Sequence, residues 1–362
     1  MMPTQKVNIF KRFGQWVKTH RTRFILIIGG VLIAGTGAGA YYLLTRPITE
    51  TPVAAIPVTP KPTPPPVFYS PLTGDKVADE AATKQAVTAI MIENSPDARP
   101  QSGLKQAGVV YEAIAEGGIT RMLTLHQQDK PQLIGPVRSL RMYYVDWLAP
   151  YNASVAHVGG SAAALTEIRN GKYRDIDQFF NAGSYWRATD RYAPHNVYTS
   201  FAKLDELNQK KGYTQSTFTG FPRVDSNPAN PPNATDIKIN FSGPLFNTAY
   251  TYDKENNRYN RLLAGAVHKD REEGPITPTV VIALKVNMHR VFEDGYREDI
   301  DANGNGQAII FQNGVAQEVN WTKPDRASQL SFTDKEGKPV ALVRGQTWIA
   351  AVPNGSGSVS WQ

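Results

Sequence analysis

An apolar stretch without a single charged residue occupies residues 24–44, near the start of the chain. About 20 consecutive apolar residues form a helix that crosses the roughly 30 Å hydrocarbon core of a membrane. Tyr41 and Tyr42 lie near its C-terminal end, where aromatic rings favour the membrane–water interface. The pattern predicts a transmembrane helix over residues 24–44.

The residues before this helix, 1–23, contain lysines and arginines and no acid. Because positively charged flanks stay on the cytoplasmic side, we expect a cytoplasmic N-terminus and an extracytoplasmic location for everything after the helix. The alternative is a cleaved signal peptide. Such a peptide has a shorter apolar core, about 7–15 residues, and ends at small residues, whereas Tyr41 and Tyr42 precede two leucines here.

Proline dominates the next segment, residues 45–66, and predicts an extended linker. In residues 67–217, strand-like runs alternate with amphipathic helical patterns, which is typical of a layered α/β domain. Residues 218–233 are rich in proline, asparagine and serine and mark a boundary. Residues 234–353 show strands and turns with little helix. The predicted fold class is therefore mixed α/β, or α+β, with a β-rich C-terminal domain.

Individual elements follow from periodicity and from capping residues. Three helices are predicted from N-capping serines, one from Ser139 through Tyr151, one from Ser161 to Gly171 and one from Ser200 to Gly212. The predicted strands are residues 86–92, 109–115, 119–126, 153–158, 249–253, 258–263, 279–286, 307–312, 340–344 and 347–352.

The formal net charge of +7 does not describe the folded part of the chain. Removing the basic residues before the span and Arg46, Glu50 and Lys61 of the linker leaves 31 basic and 31 acidic residues. A nucleic-acid-binding domain would be basic, so we expect no nucleic-acid partner. The chain contains no cysteine, which fits an exported bacterial protein and excludes thiol catalysis, cysteine-ligated metals and lipid attachment through cysteine.

Several long motifs resemble the YerB-like family of bacterial envelope lipoproteins, classed as domain of unknown function 3048. They are MIENSPDARPQSGL (91–104), YEAIAEGGITR (111–121), IGPVRSLR (134–141), HVGGS (157–161), RYAPHNVYTS (191–200), Trp321 and GQTWI (345–349). The resemblance implies an envelope location and two domains, but no known reaction. Family members are attached through a lipid-modified cysteine, and here a transmembrane helix stands in its place.

Arginine is dense in the loops of the first predicted domain. The candidates for an anion-binding cleft are Arg99, Arg121, Arg138, Arg141, Arg187 and Arg191. Arginine grips carboxylate or phosphate with two parallel hydrogen bonds, so several that converge would bind a multiply charged anion. The alternative is that each arginine pairs with a neighbouring acid, for which Glu112 and Glu116 are among the candidates.

A strand-to-helix turn at Gly159, Gly160 and Ser161 offers a second anion-binding feature. Free N–H groups and the helix dipole favour an anion at a helix start, and glycine lets a ligand approach the backbone closely. The alternative role for Ser161, and for Ser139, is ordinary N-capping.

Two histidines could act in acid–base chemistry if they met in one cleft, His157 before the glycine turn and His195 beside Asn196. A metal could join them to Glu112 or Glu116, but metal-binding spacings such as H-E-x-x-H do not occur. We therefore expect neither a metal nor a cofactor. Glu112 and Glu116 share a strand face, and a paired-carboxylate glycosidase is a weak alternative.

In the second predicted domain, residues 301–306 resemble the start of a calcium loop. A carboxylate is needed at the twelfth position, where Gln312 stands, so a hairpin turn is the preferred interpretation. Trp321, Trp348 and Trp361 could stack on sugars or simply pack in the domain.

Three functions remain open from these residues. The first is a membrane-anchored extracytoplasmic module that binds an anionic cell-wall-related ligand or a partner protein through an arginine-lined site. The second is an envelope enzyme acting on phosphate- or carboxylate-bearing glycans, with His157 or His195 as base. The third is a scaffold whose β-rich domain docks other proteins.

Overall fold

The computed structural model describes residues 9–47, 66–291 and 297–362. The chain divides into two units, residues 1–64 and residues 65–362. Residues 1–8 of the predicted basic segment and residues 48–65 of the predicted linker lie outside the described residues.

The first unit contains two helices, α1 (Ile9–Thr19) and α2 (Arg21–Leu44). α2 includes the whole predicted span, residues 24–44. Of the described helices, α2 alone is long and apolar enough to cross a membrane, by length and composition. Its apolar side chains are exposed within the protein itself, as a lipid-facing helix requires.

The second unit begins with an alternation of strands and helices. Its elements up to residue 224 are β1 (Phe68–Tyr69), β2 (Lys76–Val77), α3 (Glu80–Thr83), β3 (Thr88–Glu93), β4 (Val109–Glu116), β5 (Ile119–His126), α4 (Met142–Leu148), β6 (Ser154–Ala156), α5 (Ala162–Asn170), β7 (Arg174–Asp175), β8 (Trp186–Arg187), β9 (Val197–Tyr198), α6 (Phe201–Lys210) and β10 (Arg223–Val224).

Strands follow almost without interruption from residue 236. They are β11 (Asp236–Asn240), β12 (Thr248–Asp253), β13 (Arg258–Leu263), β14 (Ala266–Val267), β15 (Lys269–Asp270), β16 (Gly274–Pro275), β17 (Val280–Val286), β18 (Met288–Val291), β19 (Arg297–Ile300), β20 (Gly304–Gln312), β21 (Val315–Lys323), β22 (Ser331–Thr333), β23 (Leu342–Val343), β24 (Thr347–Pro353) and β25 (Ser358–Trp361). The mixed α/β class with a strand-rich C-terminal segment is confirmed.

One ten-stranded sheet runs through both segments, in the order β22-β21-β20-β17-β24-β4-β5-β3-β6-β7. The two segments meet where β24 pairs parallel to β4, with Thr347 opposite Val109. β24 also pairs parallel to β17. Strands buried on both faces read as nearly continuous apolar runs, which explains the compositions of β4, β17 and β24.

Alternate side chains of the central strands enter different cores. In β3, Ala89 and Met91 pack with α4 and α5 on one face, whereas Ile90 and Ile92 pack with α6 on the other. Helices therefore cover both faces of the N-terminal half of the sheet.

The C-terminal half is covered differently. A five-stranded antiparallel sheet, ordered β14-β13-β12-β11-β25, packs on one face of the large sheet. Tyr250 and Tyr259 of this smaller sheet join Val281 and Ala283 of β17 in a common core. Two packed sheets replace the helix–sheet layers of the first segment, as expected for the β-rich segment.

The helix predicted from Ser139 begins instead at Met142, with Arg141 as N-cap residue. Neighbouring segments hold the residues before it in an extended conformation, because the N–H of Arg138 donates to Met91 O and that of Leu140 to Gly159 O. The capping roles of Ser161 and Ser200 are confirmed, since their hydroxyls accept from Ala164 N and Lys203 N.

The hairpin turn predicted at residues 301–306 is wrong. β19 and β20 belong to different sheets, and Gly304 already begins β20. The tight turn lies one strand later, at Asn313 and Gly314, both with positive φ. Gln312 bonds to the backbone of Ala341 and Val343 instead of a cation.

A buried charge pair joins the two halves of the unit. Glu112 of β4 and Arg261 of β13 are both fully buried, and Arg261 Nη2 donates to Glu112 Oε2 at 2.7 Å. Trp348 Nε1 donates to the same oxygen at 2.9 Å, and Thr120 Oγ1 to Oε1 at 3.0 Å. Both carboxylate oxygens are thus hydrogen-bonded, the condition under which a buried ion pair offsets its desolvation.

The remaining donors of Arg261 are also used. Its Nε donates to His268 Nδ1 at 2.9 Å, its Nη1 donates to the Tyr250 hydroxyl, and its guanidinium lies 4.1 Å from the centre of the Trp348 ring. His268 Nε2 donates to Gln101 Oε1 at 3.0 Å. His268 is therefore neutral, and burial, together with the nearby arginines, lowers its pKa well below the ordinary value.

We predict that Arg261→Met lowers the free energy of unfolding by about 3–5 kcal/mol, because it leaves the Glu112 carboxylate buried without its charge partner. Denaturant titration of the full chain in detergent micelles measures this loss. The matched control is Lys335→Met, which removes an exposed ion pair with Glu318 and should change stability little. Equal losses in the two variants would contradict a joining role for the buried pair.

Candidate functional site

Two loops that follow strands of the first segment and one turn of the second enclose a cavity of about 690 Å³. The first loop, residues 94–101, follows β3, and the second, residues 188–196, connects β8 and β9. The turn between β15 and β16 contributes Arg271. The side chains that decide the chemistry of the wall are Asp97, Arg99, Asp190, Arg191, His195 and Arg271.

His195 is held by Glu93, the last residue of β3. Its Nδ1 lies 2.9 Å from Glu93 Oε1, and a carboxylate can only accept, so Nδ1 carries the hydrogen. Ser95 Oγ donates to the same oxygen at 3.0 Å, and Arg138 Nε lies 3.2 Å from it. The Glu93 side chain is 5% exposed, and its second oxygen is buried without a hydrogen-bond partner among the described residues.

Arg191 and Arg99 are satisfied by neutral oxygens. Arg191 donates to the backbone carbonyls of Asp97 at 2.8 Å and Pro100 at 2.6 Å. Arg99 donates to Asn94 Oδ1 at 3.1 Å and to the Leu245 carbonyl at 2.8 Å. Within residues 9–47, 66–291 and 297–362, neither forms an ion pair with a carboxylate. Burial lowers the pKa of Arg99, but the group stays a cation.

Arg271 is the one cation of this wall that meets a carboxylate in the described structure, since its Nη2 lies 2.7 Å from Asp190 Oδ2. This hydrogen bond raises the pKa of Arg271 and lowers that of Asp190. Arg187 and Asn196 adjoin the site, where Arg187 Nη1 donates to Asn196 Oδ1 at 2.8 Å. Arg187 also lines a smaller cavity of about 370 Å³ that shares Asp190 and Arg271 with the larger one.

Two more of the predicted arginines surround the carboxylate of a third predicted residue, Glu116. Glu116 is an ion-pair partner of Arg121, at 2.9 Å, and of Arg141. Arg297, from the second segment, lies 3.4 Å from it. Arg121 also donates to the Ser139 carbonyl at 2.8 Å. These arginines are largely buried and bind protein groups, and Glu112 lies in the buried network, so these residues do not line the cavity.

The predicted glycine turn binds a carboxylate of the protein itself. Gly159 N–H donates to Asp177 Oδ1 at 3.2 Å, while Ser161 caps α5. Gly160 lies against Leu140, whose carbonyl would be 3.0 Å from an added Cβ. The anion expected at this turn is therefore supplied by Asp177.

His157 lies in this second cluster and not beside His195. It is fully buried, with Nδ1 2.8 Å from the Gly159 carbonyl and Nε2 3.0 Å from Asp175 Oδ1. Both partners can only accept, so a protonated His157 ring donates a hydrogen bond to each of them. The two histidines thus contact different carboxylates.

The predicted site did not include Glu93, Asp97, Asp190 or Arg271. Glu93 and Asp97 stand in the same motif as Arg99. An acid directly after the apolar run of β3 could have indicated Glu93 as a site residue. No pattern near Arg271 indicated that it would join this site, because it comes from the second segment. Among the described residues, no group of three or more histidine, aspartate or glutamate side chains could hold a metal ion.

Family models match most of the second unit. The N-terminal domain of a protein of unknown function (DUF3048) matches residues 72–214, and the C-terminal domain of the same family matches residues 237–349. The chain belongs to the DUF3048 family. The family resemblance read from the motifs is thereby confirmed, and the Glu93–His195 contact and the cavity arginines Arg99 and Arg191 all lie within the N-terminal match.

A relative of this DUF3048 protein is the Bacillus subtilis (strain 168) protein named "Putative lipoprotein YerB". The two are 33% identical over 290 residues, which cover 79% of this chain and 86% of the relative. The crystal structure of the Bacillus subtilis YerB protein matches with a TM-score of 0.72 and 30% identity, covering 81% of this chain and 99% of that one. The two-segment architecture is thus shared with a solved structure.

The His157–Asp175 contact predicts how stability depends on pH. Burial raises the pKa of Asp175, but the hydrogen bond and charge of His157 bring it below the ordinary 3.8. Such a group stabilises the fold above its unfolded-state pKa, and this contribution is lost as the pH falls through the lower folded-state value. Asp175→Asn should therefore have a lower free energy of unfolding than wild type near pH 7, and this difference between the two proteins should narrow below about pH 4.

Denaturant titrations of both proteins in detergent micelles at several pH values measure this difference in the free energy of unfolding. A difference that stays constant down to about pH 3 would show that the charge of Asp175 does not contribute to stability.

Proposed function

We propose that the chain is a membrane-anchored envelope protein whose second unit lies outside the cytoplasm and binds a multiply charged anionic ligand. The anchor is α2, and the basic residues before it support a cytoplasmic N-terminus. The YerB relative is named as a lipoprotein, which supports attachment to a membrane. Here α2 would take the place of the lipid, since the chain contains no cysteine.

The charge of the cavity wall carries the ligand proposal. Arg99, Arg191 and Arg271 face Asp97 and Asp190, so the described wall is positive even before His195 is protonated. Arg99 and Arg191 bond to neutral oxygens, and their charges are not cancelled by a carboxylate in contact. Guanidinium groups held in place by backbone carbonyls are oriented for phosphate or carboxylate.

The size of the cavity fits this role. About 690 Å³ lies within the range of roughly 300–1,000 Å³ found for small-molecule sites. Tyr192 stands at its edge with 92% of its surface exposed, and an exposed ring can stack on a sugar or another planar group. Pyrophosphate, a phosphorylated glycan or an acidic peptide would supply the complementary charge.

We predict that single cysteines reveal the topology. The natural chain has none, so Lys11→Cys and Ser356→Cys each carry one thiol, both at exposed positions. A membrane-impermeant maleimide added to intact cells should label Ser356→Cys, and should label Lys11→Cys after permeabilisation alone. The opposite pattern would overturn the proposed orientation.

We predict that two changes to one ion pair shift ligand affinity in opposite directions. Arg271→Gln should raise the Kd for pyrophosphate about 10-fold, because it removes a charge-assisted hydrogen bond. Asp190→Asn should lower the Kd, because it removes the closer of the two carboxylate contacts of Arg271, the other being with Glu272, and takes a negative charge from the wall. Isothermal titration calorimetry of the full chain in detergent micelles measures both.

Arg258→Gln is the matched control, since Arg258 is exposed and its guanidinium lies near Thr277 and Thr279 rather than in this cavity wall. An unchanged Kd in the control with opposite shifts in the two variants would support the site. Shifts of the same sign in both variants would contradict it.

A further inference from the structure

His195 presents one ring nitrogen to the cavity. Its Nδ1 donates to Glu93, so Nε2 keeps a lone pair as long as the ring is neutral. The side chain is 21% exposed and forms part of the cavity wall. The nearest carboxylate to Nε2 is that of Asp97, at 4.0 Å, and 82% of that side chain is exposed. Nε2 is therefore available to a molecule in the cavity.

The backbone of Glu93 is fixed by the sheet. Glu93 is the last residue of β3 and lies opposite Arg121 of β5, and its N–H donates to the Pro136 carbonyl at 3.0 Å. Ser95 Oγ and Arg138 Nε contact the oxygen that receives His195. The other carboxylate oxygen of Glu93 is buried and has no hydrogen-bond partner among the described residues.

A carboxylate that fixes the tautomer of a histidine whose other nitrogen faces a cavity is the arrangement used for proton transfer. The guanidinium groups of the same wall can hold the oxygens of a phosphoryl group and stabilise the charge that develops on them. A water molecule in the cavity could give a proton to His195 Nε2 and attack such a phosphoryl group.

We propose that this site hydrolyses phosphate esters or anhydrides, with His195 as the general base. The inference rests on the proposed function, since it assigns a reaction to the same ligand site. Water oxygen forms a bond to phosphorus while the bond from phosphorus to the leaving oxygen breaks. His195 Nε2 takes a proton from the water and returns one to the leaving oxygen. A monoester then gives an alcohol and phosphate, a diester gives an alcohol and a monoester, and pyrophosphate gives two phosphates. Glu93 is a positioning residue.

The test uses the full chain in detergent micelles with p-nitrophenyl phosphate, bis(p-nitrophenyl) phosphate and pyrophosphate as a monoester, a diester and an anhydride. Wild type should cleave at least one of them. His195→Asn and His195→Gln should lower kcat at least about 100-fold, the usual contribution of a general base. The control is His289→Asn, which alters an exposed histidine of β18 and should leave kcat unchanged.

A pH–rate profile tests the positioning role of Glu93. The charged groups around the ring are Glu93 and Arg138 in the contact itself, Asp97 at 4.0 Å, and Arg99, Asp190, Arg191 and Arg271 in the wall. Since a carboxylate favours protonated imidazole, Glu93→Gln should move the acidic limb of log(kcat/KM) to lower pH. A lower rate with an unmoved limb would show that Glu93 is merely structural.

The outcomes separate this inference from the ligand site on which it rests. Cleavage lost in both His195 variants and kept in His289→Asn, with melting temperatures unchanged, would support it. Equal cleavage by wild type and the His195 variants, or cleavage of none of the three probes, would overturn it. Pyrophosphate could still bind, with the Kd raised by Arg271→Gln and lowered by Asp190→Asn. That result would support the ligand site while showing that it does not hydrolyse its ligand. Absence of binding would overturn both.

Discussion

A buried charge pair, Glu112 with Arg261, joins the two segments of the second unit. The two side chains come from different sheets and from sequence positions 149 residues apart, and each is fully buried. Separated from its partner, either charge would be left in an apolar core, at a cost of several kcal/mol. Together with the parallel pairing of β4 and β24, the pair requires the two segments to fold against each other, although the family models divide them into two domains.

The same network places the cavity. His268 bonds to the side chain of Gln101, the N–H of Arg271 donates to the Gln101 carbonyl at 2.7 Å, and Asp270 Oδ2 accepts from Leu104 N–H at 2.7 Å. These contacts bring a turn of the second segment onto the loop that follows β3. Arg271 thereby enters a wall whose other charged groups belong to the first segment, so the charge of the cavity depends on the pairing of the two segments.

Sequence patterns predicted the features that depend on a few neighbouring residues. The span, the β4–β5 hairpin and the caps at Ser161 and Ser200 follow from runs, periodicity and hydrogen-bonding side chains of a few neighbouring residues. Ser139 failed as a cap because β3 and the turn at Gly159 accept the backbone N–H groups of Arg138 and Leu140. Of the predicted site residues, Arg99, Arg191 and His195 line the cavity, and Arg187 and Asn196 adjoin it. Arg138 contacts the Glu93 carboxylate that holds His195. The others lie elsewhere, because ion-pair partners that are distant in sequence leave no periodic pattern in it.

The partners that the fold assigns to each arginine separate the structural ones from the candidate ligand groups. Arg121 and Arg141 meet Glu116, and a carboxylate in contact cancels most of the field of a guanidinium beyond a few ångströms. Arg99 and Arg191 are fixed by carbonyl and amide oxygens, which orient the guanidinium without neutralising it. The density of arginine in these loops therefore has two physical origins. One set stabilises the junction of the segments, and the other lines the cavity beside His195, where we propose that an anion binds and a proton is transferred.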